Sequence, residues 1–183
     1  MNGITVFCII ILVCVLAVIL IYNKGINLKN YVSEAFSTMD VYLKKRWDLI
    51  PNLVETVKAY ASHEKNLFEK TSEIRTKSYS EMSDNEKLDT NSQLGILIPK
   101  IIAVAENYPE LRANQNFIKL MDNLNEVEND IANARKYYNG TVRELNTFME
   151  IFPVNLIGSV FGIKKANFFE ITDKERENVR VEL

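Results

Sequence analysis

The chain of 183 residues sets 22 Lys and Arg against 24 Asp and Glu, a formal net charge of −2, and holds only 6 Gly, 4 Pro and 2 Cys. Near balance of charge excludes the broad basic surface that nucleic acid requires, and two cysteines exclude a disulfide framework. Setting aside the apolar start leaves about 160 residues, enough for one ordinary domain, and scarce Gly and Pro favour long helices over strands and turns.

The apolar start is the run from Ile4 to Tyr22, without a charge and with one hydroxyl. At about 1.5 Å per residue it covers nearly the ~30 Å of bilayer hydrocarbon, where only a helix satisfies its own backbone. Cys8 and Cys14 both lie inside it and read as small hydrophobes, since Phe7 and Val13 stand where a lipidation site needs small residues. No basic residue precedes the run and no small-x-small site closes it, so an uncleaved anchor is expected rather than a signal peptide. Lys24 and Lys29 on the C-terminal flank place the body in the cytoplasm and the short N-terminus outside.

Beyond the anchor, Leu28, Tyr31, Val32, Ala35, Phe36, Met39 and Leu43 have the three-and-four spacing of one helical stripe. Lys44, Lys45 and Arg46 then read as cations at a helix C-terminus, followed by a reversal in which Asp48 caps a new helix and Pro51 occupies its first turn. The second helix carries Ile50, Leu53, Val54, Val57, Ala61, Leu67 or Phe68, and Ile74, and fades into SYSEMSDNEK, the expected exposed loop. Ser83 and Glu86 have capping-box spacing for a third helix, with Pro99 expected to kink or split it before Asn107-Tyr108-Pro109. The fourth stripe, Phe117, Leu120, Leu124, Val127, Ile131, Ala134, Tyr138, Val142, Leu145 and Met149, runs unbroken from about Asn114 to Glu150.

Short connections between such helices make neighbours antiparallel, so the expected fold is all-α: a single N-terminal transmembrane helix followed by an antiparallel bundle of four long helices. The domains are then a 1–23 anchor, a 24–151 bundle and a 152–183 apolar cap segment with an extended tail. Up-down-up-down order brings residues 152–169 close to the bilayer surface. Two readings stand for Leu156, Ile157, Val160, Phe161 and Ile163: entry into the headgroup region with Lys164 and Lys165 facing phosphates, or, as expected here, a plug for the open end of the bundle. Val179, Val181 and Leu183 alternate with polar or charged residues as an extended tail does.

Four blocks carry a family resemblance: YLKKRWDLIPNLVETVKAYASHE (42–64), ENYPELRANQNF (106–117), ENDIANARKYYNGTVRELN (128–146) and FPVNLIGSVFGIKKANFFE (152–170). In this order they resemble the LemA family of bacterial membrane proteins, over nearly everything after the anchor. The resemblance implies a single-pass protein of the bacterial cell envelope with a long-helix bundle, and brings no catalytic residues with it.

The residues themselves offer no catalytic, cofactor-binding or metal signature. His63 is the only histidine and is read as solvated or capping; Glu126, Glu128 and Asp130 alternate along one helix and cannot all converge; no Gly-x-Ser-x-Gly or phosphate loop is present. The one polar constellation is Asp48 and Asn52 with Glu128, Arg135, Tyr138 and Asn139, read as a buried layer that fixes helix register. The expected function is a non-enzymatic scaffold or interaction module. Its partners are the bilayer through residues 4–22 and, in one reading, 152–169, and a protein partner or further copies of itself. The alternatives are an enzyme or ligand-binding protein using the layer around Arg135, and a membrane-shaping protein.

Overall fold

The computed structural model describes residues 3–158 and 161–169. Every regular element among them is helical: α1 (Gly3–Lys58), α2 (Lys65–Ile74), α3 (Asp84–Glu106), the short α4 (Pro109–Arg112), α5 (Gln115–Glu150) and the short α6 (Val154–Ile157), with a 3₁₀ turn at Tyr79–Glu81. The chain forms two compact units, one from the chain up to Thr38 with Ala134–Phe168, the other from Met39–Asn133 with Phe169. Ser159, Val160 and the tail with Val179, Val181 and Leu183 lie outside the described residues.

α1 is a single helix of 56 residues. The apolar window near its start has no buried residue, the opposite of a core helix, and the helix passes through Gly25 without interruption. The reversal expected between Lys44 and Pro51 does not occur. Proline inside a helix leaves the carbonyl four residues earlier without its donor. Here that carbonyl belongs to Trp47, and Arg75 Nη1 donates to it instead, its guanidinium 4.4 Å from the centre of the Trp47 ring. A long-range side chain thus replaces the missing helical bond, and α1 continues to Lys58. The helix expected over 50–74 breaks instead at residues 59–64, within a stretch that offers no apolar residue between Ala61 and Leu67.

In the second unit the buried side chains come from α1 (Met39, Leu43, Ile50, Leu53, Val57), α2 (Leu67), α3 (Leu94, Leu97, Ile101) and α5 (Phe117, Leu124, Val127, Ile131). Arg46 of α1 meets Glu128 of α5, and just beyond the end of α1 Tyr60 Oη accepts from Asn114 Nδ2 just before α5, so the two helices run antiparallel. Asn114 Oδ1 accepts the backbone N–H of Asn116 and Phe117, the cap that starts α5 where the stripe predicts. Ser83 and Glu86 form the expected capping box, and α3 runs on through Pro99 as one helix. The loop expected to be exposed buries Tyr79 and Met82, because the Tyr79 ring packs beside Trp47.

In the first unit Lys24 and Gly25 lie against Phe148, and farther along α1 Phe36 meets Tyr138, which stands earlier on α5. The pair is antiparallel here as well. Val154 and Ile163 bury themselves against Leu28, Leu145 and Phe148, so part of the segment after α5 does plug the helix pair. Leu156 and Phe161, expected in the same plug, are exposed.

Candidate functional site

The buried polar layer of the second unit is centred on Arg46, which the sequence alone places among three cations at a helix C-terminus. On α1 the buried positions Leu43, Arg46, Ile50 and Leu53 continue one three-and-four stripe, and that spacing is the signal that could have found it. Arg46 is 3% exposed. Its Nη1 donates to both Glu128 oxygens at 2.9 and 3.1 Å, its Nε to Asn91 Oδ1 at 3.1 Å and its Nη2 to the Asn91 carbonyl at 2.5 Å. Asn91, fully buried on α3, returns its Nδ2 to the Lys87 carbonyl at 3.0 Å.

A second cluster extends the layer. Asp40 accepts from Tyr79 Oη and from Lys87 Nζ, each at 2.7 Å. Burial first, then the bond to Asp40, pushes the Tyr79 phenol above its ordinary pKa, so it stays protonated and donating; Asn91 and Arg46 oppose the shift. Four segments are joined through side chains that share no sequence proximity: α1, the 3₁₀ turn, α3 and α5. A buried guanidinium with its hydrogen bonds met fixes which helix face meets which, because a shift of one turn would strand the charge.

The expected constellation is only partly brought together. Glu128 belongs to the layer, but its partner is Arg46. Asp48 is exposed and pairs with Lys44 at 2.5 Å, and with the exposed Asn52 it lines an open cavity of about 400 Å³ that also takes in Asn123, Glu126 and Asp130. Arg135, Tyr138 and Asn139 belong to the other unit. There Tyr138 Oη donates to the Asn167 carbonyl at 2.9 Å, while Arg135 and Asn139 are half-buried. His63 is exposed in the connection between α1 and α2.

Tyr138 shares its task with Asn146, a residue the sequence reading passed over. Asn146 Oδ1 accepts the Ala166 N–H and its Nδ2 donates to the Ala166 carbonyl, both at 2.9 Å. The side-chain amide imitates a neighbouring strand and clamps the extended residues after Ile163 to α5. Gly25 completes the clamp: a Cβ there would meet Ile163 Cδ1 at 2.5 Å and Phe148 at 3.3 Å.

An exposed apolar helix of spanning length, continuous with a helical body whose central guanidinium is consumed by internal bonds, defines an all-α membrane protein. The chain belongs to the LemA family, which it matches over residues 35–183. It is 23% identical over 175 residues to magnetosome protein MamQ 2 of Paramagnetospirillum magneticum, with 81% of this chain and 64% of that protein covered. It is 19% identical over 158 residues to protein LemA of Metamycoplasma hominis, with 86% and 72% covered. The chain therefore spans less than two thirds of the length of the MamQ protein it matches.

Proposed function

We propose that this protein is a non-enzymatic scaffold of the bacterial cell envelope, held in the membrane by residues 4–22 and presenting its helix faces to further copies of itself or to a protein partner. In this reading residues 1–23 are the anchor, 24–151 the bundle, and 152–183 the cap segment and tail. The observation that carries the reading is the fate of Arg46. A buried guanidinium with a carboxylate and an amide beside it is the raw material of an anion site, yet all three of its nitrogens donate to the protein itself. The layer spends each of the three guanidinium nitrogens on holding helices together.

Retention of the apolar run as an anchor is supported by its packing: Tyr22 meets Phe161 edge to face and Ile21 lies against the Leu28 cluster, contacts that cleavage after the run would destroy. Lys24 and Lys29 favour a cytoplasmic body with the N-terminus outside. Crosslinking of the full-length protein in native membranes should give discrete higher-order species. Recovery of monomer alone, with no co-purifying protein, would reject the scaffold. Protease treatment of intact and of lysed cells reads the sidedness directly.

A further inference from the structure

The segment after α5 has two sides. Val154 and Ile163 are fixed to the bundle, each 3% exposed, whereas Ile151, Phe152, Leu156 and Phe161 are 50, 79, 65 and 42% exposed. Four large apolar side chains so close in sequence and open to solvent are costly in water. Their height along α1 follows from the antiparallel contacts. Gly25 faces Phe148 and Phe36 faces Tyr138, so continuing the same register sets Ile151 and Phe152 beside Tyr22. Two contacts agree: Ile151 lines a cavity with Lys24 and Leu28, and the Phe161 ring lies 5.3 Å from that of Tyr22. Tyr22 ends the uncharged run, so the open apolar side is level with the boundary between hydrocarbon and headgroups.

The charges at that height are mostly cationic. The cavity beside Ile151, about 380 Å³, is walled by Lys24 and Arg143 with Phe148 and Thr147, and by one carboxylate, Glu144. Lys164 is exposed on the clamped segment, and Lys165 is paired with Glu150. Apolar side chains below and ammonium or guanidinium groups just above are what an anionic bilayer surface matches.

We propose that Ile151, Phe152, Leu156 and Phe161 form a collar that lies in the bilayer surface beside the exit of α1, with Phe152, Leu156 and Phe161 entering the boundary of headgroups and acyl chains and Lys24 and Arg143 facing lipid phosphates. The collar rests on the reading of residues 4–22 as the membrane anchor. It is continuous with the lipid-facing surface of α1, which selects lipid over a protein partner as the occupant.

The test uses full-length protein with Cys8→Ser and Cys14→Ser, reconstituted in vesicles of phosphatidylcholine and phosphatidylglycerol. Nitroxide labels are placed one at a time through Phe152→Cys, Leu156→Cys, Phe161→Cys, Leu12→Cys in the anchor, and Lys70→Cys on exposed α2. Relaxation by oxygen relative to a water-soluble nickel chelate should be several-fold higher at the three collar sites than at Lys70→Cys, and lower than at Leu12→Cys. Lys24→Gln with Arg143→Gln should reduce the collar ratios in anionic vesicles and leave Leu12→Cys unchanged. Collar labels as open to nickel as Lys70→Cys, with Leu12→Cys still in lipid, overturn the collar and spare the anchor. Leu12→Cys open to nickel overturns both. Collar labels shielded from both reagents and broadened by one another show a second copy on this surface, and also overturn the proposal.

Discussion

Replacing Arg46 by Met keeps the volume of the stem and removes every hydrogen bond at the centre of the polar layer. Asn91 is 0% exposed, so its Oδ1 loses its donor where water cannot supply one, at a cost of about 1–3 kcal/mol. Glu128 loses two bonds, but its side chain is 36% exposed and can rehydrate, which keeps the total below the ~3–5 kcal/mol of a fully buried broken pair. About 3 kcal/mol is the expected loss. At about 2–4 °C per kcal/mol for a chain of this size, Tm of the detergent-solubilised full-length protein falls by roughly 6–12 °C, read by circular dichroism at 222 nm. Adding Asn91→Leu and Glu128→Gln removes the stranded partners and should restore a large part of the loss. An Arg46→Met protein melting within about 2 °C of the parent, a shift below ~1 kcal/mol, would refute a structural role for the layer.

Arg75→Met should cost about 2 kcal/mol through the lost bond to the Trp47 carbonyl and the lost stacking, and distinctly less in a Pro51→Ala background, where residue 51 regains its own N–H; equal losses in the two backgrounds would disprove the substitution of one donor for the other. Glu86 is drawn down from the ordinary 4.5 to about 2 by its bond to Lys77 and then by those to Ser83. The folded form therefore binds fewer protons, so the capping contribution is complete above pH 4.5 and is lost as pH falls from 4.5 towards 2; Glu86→Gln should flatten that acid limb of Tm against pH. Gly25→Leu would drive Ile163 and Phe148 apart, with an expected loss of about 1–3 kcal/mol and of the Tyr22–Phe161 contact, seen as new protease sensitivity between residues 158 and 166. Asn146→Ala removes both bonds to Ala166, about 2 kcal/mol, and should speed hydrogen exchange at the Ala166 amide roughly 30-fold while leaving the Leu124 amide unchanged.

Local signals explain what was legible. The α5 stripe has no interruption and opens on an Asn114 cap, so both ends could be read almost to the residue, and the Ser83–Glu86 box fixed the start of α3. Local rules failed wherever a distant residue supplied what the local chain lacks. Pro51 reads as the start of a helix until Arg75, from the far end of α2, takes over its missing bond. Arg46 reads as one of three cations at a helix C-terminus until Asn91 and Glu128 surround it. Of the expected layer, Glu128 flanks an apolar stripe and meets Arg46, whereas Asp48 and Asn52 depend on a reversal that is absent and are exposed. The apolar segment after Glu150 reads from sequence as a plug or as a lipid contact, whereas among its described residues Val154 and Ile163 are buried against the bundle and Phe152, Leu156 and Phe161 are open.

The absence of any joint at Gly25 has a mechanical corollary. A bilayer thicker or thinner than the Ile4–Tyr22 run is accommodated by tilting that run. On the proposed anchoring, α1 continues from that run as one helix and the residues around Ile163 are seated on it and held by Asn146, so an inclination of the run would carry into the first unit. Lipid composition would then bear on the angle at which this part of the protein meets the aqueous phase.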